Sequence, residues 1–140
     1  MTKVYTVEDL AQPLANYPHA HRAGDLIFVS GVSCRQKDDS HAGVEIDEEG
    51  NVERDIVAQS EAVIENLQGI LEGGGAGLRD VVDVTVFLTN MDDYAAFNEV
   101  YNRHFDADTG PARTTVAVKE LPHPNLLVEL KAVAYAPGSP

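Results

Sequence analysis

The chain has 140 residues, 44% of them hydrophobic and 24% charged, a size and composition expected of one folded domain over residues 1–140 and unlike those of a disordered segment. Ten Lys and Arg against 23 Asp and Glu leave a formal charge of −13 at pH 7, which repels phosphate backbones and anionic membranes at long range, so no nucleic acid and no membrane is expected as a partner. No apolar run approaches the ~18 residues needed to cross a bilayer, and "MTKVYTVEDL" lacks the basic and then apolar blocks of a leader, so the expected address is the cytoplasm.

Taken in chain order, the first sixteen residues are mixed in pattern, with Pro13 against a continuous helix and a short edge strand expected near Lys3 to Thr6. "HAHRAGDLIFVS", His19 to Ser30, reads as a hairpin turning at Gly24 and Asp25. The unbroken apolar run Leu26 to Val29 predicts a strand buried on both faces. Cys34 is the only cysteine, so an intrachain disulfide is impossible, and a lone thiol is expected to be a bystander. Between Gln36 and Asn51 the turn-forming clusters "DDSHAG" and "DEEGN" bracket a short strand over Val44 to Ile46.

Asp55 or an earlier residue opens a helix whose apolar positions Ile56, Val63, Leu67, Ile70 and Leu71 fall on one face of a 3.6-residue period, and Gly73 to Gly75 stop it. In "DVVDVTVFLTN", Val82, Val84, Val86 and Leu88 alternate with Asp83, Thr85 and Phe87, the period of a strand. Asn90 or Asp92 caps a second helix running to about Phe105, with Tyr94, Phe97, Tyr101 and Phe105 on one stripe, expected to be core. Closing strands are expected over Arg113 to Val118 and Leu126 to Ala136. Two helices divided by one strand predict an α+β two-layer arrangement, a mixed sheet with both helices on one face. The other face then needs a cover that the chain has no elements left to supply, which points to self-association.

Arg113, in "PAR", and Glu129, in "LLVELKAVAY", sit on the two closing strands joined by "ELPHPN". As antiparallel neighbours these strands would aim both side chains into one space. Spacing leaves two readings open. One is a cross-strand ion pair of little energetic worth. In the other, Arg113 clamps a carboxylate through its planar fork while Glu129 orients or deprotonates a water. His19 and His21 share one strand face, but no third ligand stands at a recognisable spacing, so no metal is expected. Gly73, Gly74, Gly75 and Gly77 follow a helix without a lysine partner and read as a helix stop, not a phosphate cradle.

"NYPHAHRAGDLIFVSG", "VVDVTVFLTNMDDYAAFNEVYNRHF" and "GPARTTVAVKELPHPNLLVELKAVAYAP" together resemble the RidA/YjgF family of imine and enamine deaminases, from about Tyr17 to Tyr135. The resemblance implies a chorismate-mutase-like fold, a homotrimer with active sites in the clefts between subunits, and no metal or organic cofactor. It also implies that Arg113 binds the substrate carboxylate, that Glu129 helps place the attacking water, and that Tyr17, Ser30, Gly31 and Asn98 line the pocket. The chain departs from the family's pattern at three places. Thr115 stands where many members carry cysteine, His19 where glutamine is frequent, and "VSCRQ" introduces Arg35 near the pocket.

"GVSCRQKDDS" and "LPHPNLLVELKAVAY" are most similar to the 2-aminomuconate deaminase branch. That substrate is a dicarboxylate, so its far end would need a second cation, for which Arg35 is the candidate and His19 or His123 lesser ones. The competing reading makes Arg35 a solvated loop residue balancing Asp38 and Asp39. A general 2-aminoacrylate deaminase, or a non-catalytic small-acid-binding or chaperone-like trimer, are the alternative functions.

Overall fold

The structure is a computed structural model that describes residues 1–138. Its elements run β1 (Thr2–Tyr5), β2 (Ala20–Ala23), β3 (Leu26–Val32), β4 (Val44–Ile46), β5 (Val52–Arg54), α1 (Ile56–Gly73), β6 (Val81–Leu88), α2 (Tyr94–His104), β7 (Ala112–Ala117) and β8 (Val128–Tyr135). Six strands form one sheet in the order β1-β2-β3-β8-β6-β7, while β4 and β5 make a separate hairpin. All neighbours in the large sheet are antiparallel except β6 and β7, which are parallel. A parallel pair needs a crossover, and α2 supplies it.

Both helices cover the same face, as the sequence predicts. Val63, Leu67, Ile70 and Leu71 of α1 and Phe97, Val100 and Tyr101 of α2 bury against Ile27, Val29, Val84, Val86, Leu88, Val128 and Leu130 of the sheet. Asp55 is the N-cap of α1, its carboxylate accepting from the backbone N–H groups of Val57 and Ala58. The C-terminal carbonyls of α1 are also met. Tyr5 donates its hydroxyl to Ile70 O at 2.7 Å, and buried Arg22 donates to Gly74 O at 3.1 Å, Ala136 O at 2.9 Å and Gly24 O at 3.2 Å. A cation at this end complements the helix dipole. Gly73 and Gly74 let Tyr5 come this close, since a Cβ on Gly74 would stand 2.5 Å from its hydroxyl oxygen.

The second face of the sheet is open and carries exposed apolar side chains among polar ones such as His21, Thr85, Thr114 and Lys131. Register places Phe28 opposite Val133 and Leu26 opposite Tyr135, and Phe87 lies opposite Glu129 on one side and Val116 on the other. Phe28, Val116 and Tyr135 are 40%, 40% and 50% exposed. The strand β3 is therefore not buried on both faces, as its apolar run suggests: Ile27 and Val29 are fully buried while Phe28 looks outward. Val82 likewise leaves the expected alternation, because a bulge between Val81 and Asp83 buries Val81 and exposes Val82.

The closing strands are not neighbours. β6 lies between β7 and β8, and the connection from Val118 to Leu127 crosses its end, with Val118 N–H donating to Leu88 O and Thr89 N–H donating to Leu127 O. Arg113 pairs in register with Val84, on the helix side, whereas Glu129 pairs with Phe87, on the open side. The expectation that the two side chains enter one space within a chain is overturned by this order, since paired residues share a face and successive residues alternate.

Candidate functional site

Arg113 projects from the edge strand β7 toward α2. Its Nε donates to Thr115 Oγ1 at 2.9 Å and its Nη2 to Asn98 Oδ1 at 2.6 Å. Thr115 is brought there by strand alternation and Asn98 by the inward stripe of α2. Both partners are neutral oxygens, and no carboxylate pairs with Arg113 among the described residues. A guanidinium has five N–H donors. Two are engaged, so both Nη1 hydrogens and one on Nη2 remain, enough to present a parallel pair to an incoming carboxylate from the terminal nitrogens. Around the same group stand the rings of Tyr94, Phe97 and Tyr101, with centroids 5.6, 5.5 and 4.7 Å from Cζ. Phe97 and Tyr101 are core residues as expected, whereas Tyr94, one turn nearer the helix start, is exposed, and the stripe does a second thing that its spacing alone did not disclose: it encloses a cation.

A second group gathers at the end of β3. Tyr17, Ser30, Gly31 and Arg35 line one cleft together with Leu10 and Asn66. Here β3 bulges, Ser30 and Gly31 standing against the single residue Lys131 between the pairs Val29–Ala132 and Val32–Leu130. Ser30 donates its hydroxyl to Pro18 O at 2.7 Å, which ties the Tyr17 loop to the bulge. Gly31 leaves room for the Glu129 carboxylate: a Cβ there would lie 2.6 Å from Glu129 Oε2 and would push that side chain aside. Glu129 is half-buried, and burial raises its carboxyl above the ordinary carboxylate value. A carboxylate held part-way out of water is suited to taking and returning a proton.

Arg35 lines the cleft, yet its Nη1 pairs with Asp39 and its Nη2 donates to Gln12 O. Its charge is thus met by Asp39, as the competing reading holds in part, but Asp38 binds Ser40 instead and the Arg35 side chain is only 17% exposed, so it is not a solvated residue. Asn66 fixes the segment by donating to Ser33 O and Arg35 O. His19 is no cation for a substrate: the Val7 N–H donates to its Nδ1 at 2.9 Å, so the proton sits on Nε2, which donates to Ala11 O at 2.8 Å. The ring pins the loop over residues 7–11. His123 packs against His41 with ring centroids 4.3 Å apart and the planes tilted by 35°, and its Nδ1 accepts from the Asn125 N–H. Cys34 is fully buried with its thiol pushed up to about 11, so it is inert as a nucleophile. Among the described residues no group of three or more His, Cys, Asp or Glu side chains could hold a metal ion, and Gly74 is the C-cap of α1, not part of a phosphate loop.

The structure therefore brings together Arg113, Asn98 and Thr115 in one group, and Tyr17, Ser30, Gly31 and Arg35 in another, to which Glu129 is joined through Gly31. It does not bring the two groups together within one chain. The aromatic enclosure and the β-bulge are the features that sequence reasoning missed. The i, i+3, i+7 spacing of Tyr94, Phe97 and Tyr101 beside Asn98 was the available signal for the first.

The fold is one already known among solved proteins. RidA from the Antarctic bacterium Psychrobacter sp. aligns with a TM-score of 0.79 at 27% identity, over 95% of this chain and 98% of that one. Escherichia coli TdcF, solved with bound serine, aligns with a TM-score of 0.78 at 26% identity, over 95% and 98%. A RutC family protein of Pyrococcus abyssi is 39% identical over 135 residues, which cover 95% of this chain and 96% of the relative. Residues 8–136 match the family model described as Endoribonuclease L-PSP. The chain belongs to that family, which takes in the RutC and RidA/YjgF proteins.

Proposed function

We propose that the protein is a cofactor-free deaminase of enamine or imine carboxylic acids, acting in a homotrimer whose sites lie between subunits. The observation that carries the reading is Arg113: a guanidinium held by two neutral oxygens and three rings, with three donors and a full charge left for an external acid. The open face, with its exposed apolar side chains, supports association. Association is also the way for Arg113 of one subunit to meet Glu129, Gly31, Ser30 and Tyr17 of the next, since within one chain Glu129 lies on the other face of the sheet and two strands separate β3 from β7.

In this reading the enamine tautomerises to the imine, and Arg113 fixes the substrate carboxylate so that the electrophilic carbon lies beside a water. Glu129 accepts a proton from that water as its oxygen bonds to the carbon, then returns it to nitrogen. The hydroxyl proton of the tetrahedral adduct then passes to the amino nitrogen by way of Glu129, and the C–N bond breaks as the carbonyl forms, releasing ammonia and leaving a 2-oxo acid. Holding the reactants supplies most of the advantage, and the Thr115 hydroxyl and the backbone N–H groups at the bulge are donors for developing charge.

The narrower substrate is 2-aminomuconate, by the resemblance of "GVSCRQKDDS" and "LPHPNLLVELKAVAY", with Arg35 receiving the far carboxylate. The Arg35–Asp39 pair favours a second reading, a general 2-aminoacrylate deaminase, because a dicarboxylate must compete with Asp39 for that charge. Ribonuclease activity, as the family's description would suggest, is disfavoured by a charge of −13. The decisive experiment measures ammonia release from 2-aminoacrylate and 2-aminomuconate by wild type, Arg113→Ala and Arg35→Ala. Arg113→Ala is expected to lose about 100-fold or more on both substrates while keeping its fold and assembly; retained turnover sinks the clamp. A loss in Arg35→Ala confined to the dicarboxylate identifies 2-aminomuconate, and equal rates assign the monocarboxylate.

A further inference from the structure

We propose that Tyr101 and Tyr94, backed by Phe97, are positioning residues: an aromatic collar that fixes the plane of the Arg113 guanidinium, keeps water from its faces and so sets the affinity for the substrate acid. The inference rests on the reading of Arg113 as the acid clamp, but it concerns residues that touch the arginine and not the reacting atoms. An arginine at a sheet edge ordinarily finds a carboxylate or remains fully solvated. Arg113 does neither. It is partly buried, unpaired by any acid among the described residues, and ringed by three aromatic faces within 5.6 Å of its Cζ.

The chemistry of the collar differs from that of an ion pair. A ring quadrupole attracts the cation without cancelling its charge, and it replaces part of the hydration shell with a surface that takes no N–H donor. The guanidinium is then restrained face-on by rings and edge-on by Thr115 and Asn98, leaving its terminal edge as the open direction. Tyr101 gives the nearest ring, and its own position is set by stacking on Phe105 at 4.4 Å and by Phe97 at 5.8 Å. Tyr94, in the first turn of α2, is the most exposed of the three rings at 41%, with its centroid 5.6 Å from Cζ. A clamp ordered before the ligand arrives gives up less freedom on binding, which appears as affinity.

The test uses the full chain with Tyr94→Ala, Tyr101→Leu and Tyr101→Phe, read by KM and kcat on 2-aminoacrylate and by hydrogen exchange of the Arg113 Nε–H in NMR spectra. Loss of either tyrosine ring is expected to raise KM by about 3- to 30-fold with kcat little changed, because the collar serves ground and transition states alike. Exchange at the Nε–H should quicken, and Tyr101→Phe, which keeps the ring, should recover both readouts. Tyr94 is exposed, so its variant keeps the question answerable if Tyr101→Leu folds poorly. Unchanged KM and unchanged Nε–H exchange in Tyr94→Ala and Tyr101→Leu overturn the collar, as does a Tyr101→Phe variant as impaired as Tyr101→Leu. Should the wild type turn over no enamine acid, the deamination reading fails, while Nε–H exchange still decides the collar.

Discussion

Glu129 owes its raised pKa to where the backbone puts it. Gly31, with no side chain, admits the carboxylate to the bulge of β3, and burial there disfavours the charged form. In the role of general base proposed for it, Glu129 must be ionised, and its base form is lost as pH falls through the raised value. The expected profile of kcat/KM therefore declines on the acid side with a midpoint above the ordinary ~4.3 of a free glutamate. Glu129→Gln is expected to lower kcat by about 100-fold or more and to abolish that limb; a limb that persists in the glutamine variant assigns the proton transfer to another group. At this scale the sequence was informative where chemistry is carried by alternation: Arg113 and Thr115 share a face because they are two apart in a strand. The resemblance named Gly31 and Glu129, but no local pattern disclosed their contact, since they are 98 residues apart and meet where a bulge sets two residues against one.

Among the elements, α1 is written most plainly in the sequence, with an aspartate before it, glycines after it and an apolar face between. Its C-terminal end is less obvious, since Tyr5 and Arg22 reach it from β1 and β2. Replacing Tyr5 by Phe removes one hydrogen bond and is expected to cost about 1 kcal/mol, whereas Arg22→Met leaves buried carbonyls unmet and is expected to cost about 2 to 3 kcal/mol. Urea unfolding at one fixed protein concentration checks both; equal stabilities would mean that solvent satisfies these carbonyls as well as the side chains do. The pairing of β7 with β8 was misjudged for a physical reason. Sequential strands are neighbours more often than not, but strand, helix, strand from β6 through α2 to β7 is the crossover that a parallel pair requires, and it claimed β7 first.

For the molecule as a whole, two facts pull in opposite directions. Each chain carries a charge of −13, which opposes association, and each leaves Phe28, Val116 and Tyr135 outward on an uncovered sheet, which favours it. That an uncovered face would exist was legible from the element count, but which residues line it depended on the strand order. Coexpression tests the site between subunits: Arg113→Ala and Glu129→Gln, each inactive alone, are expected to form mixed assemblies in which roughly a quarter of the sites combine two intact halves and recover activity. Mixed assemblies with no recovered turnover would place the two residues in the same site half.

The opposite facing of Arg113 and Glu129 has a kinetic corollary. If the catalytic unit is made by docking, its concentration obeys mass action, and turnover per polypeptide declines when the protein is diluted below the subunit dissociation constant. Cellular abundance then sets how much enzyme is present and also what fraction of it is competent.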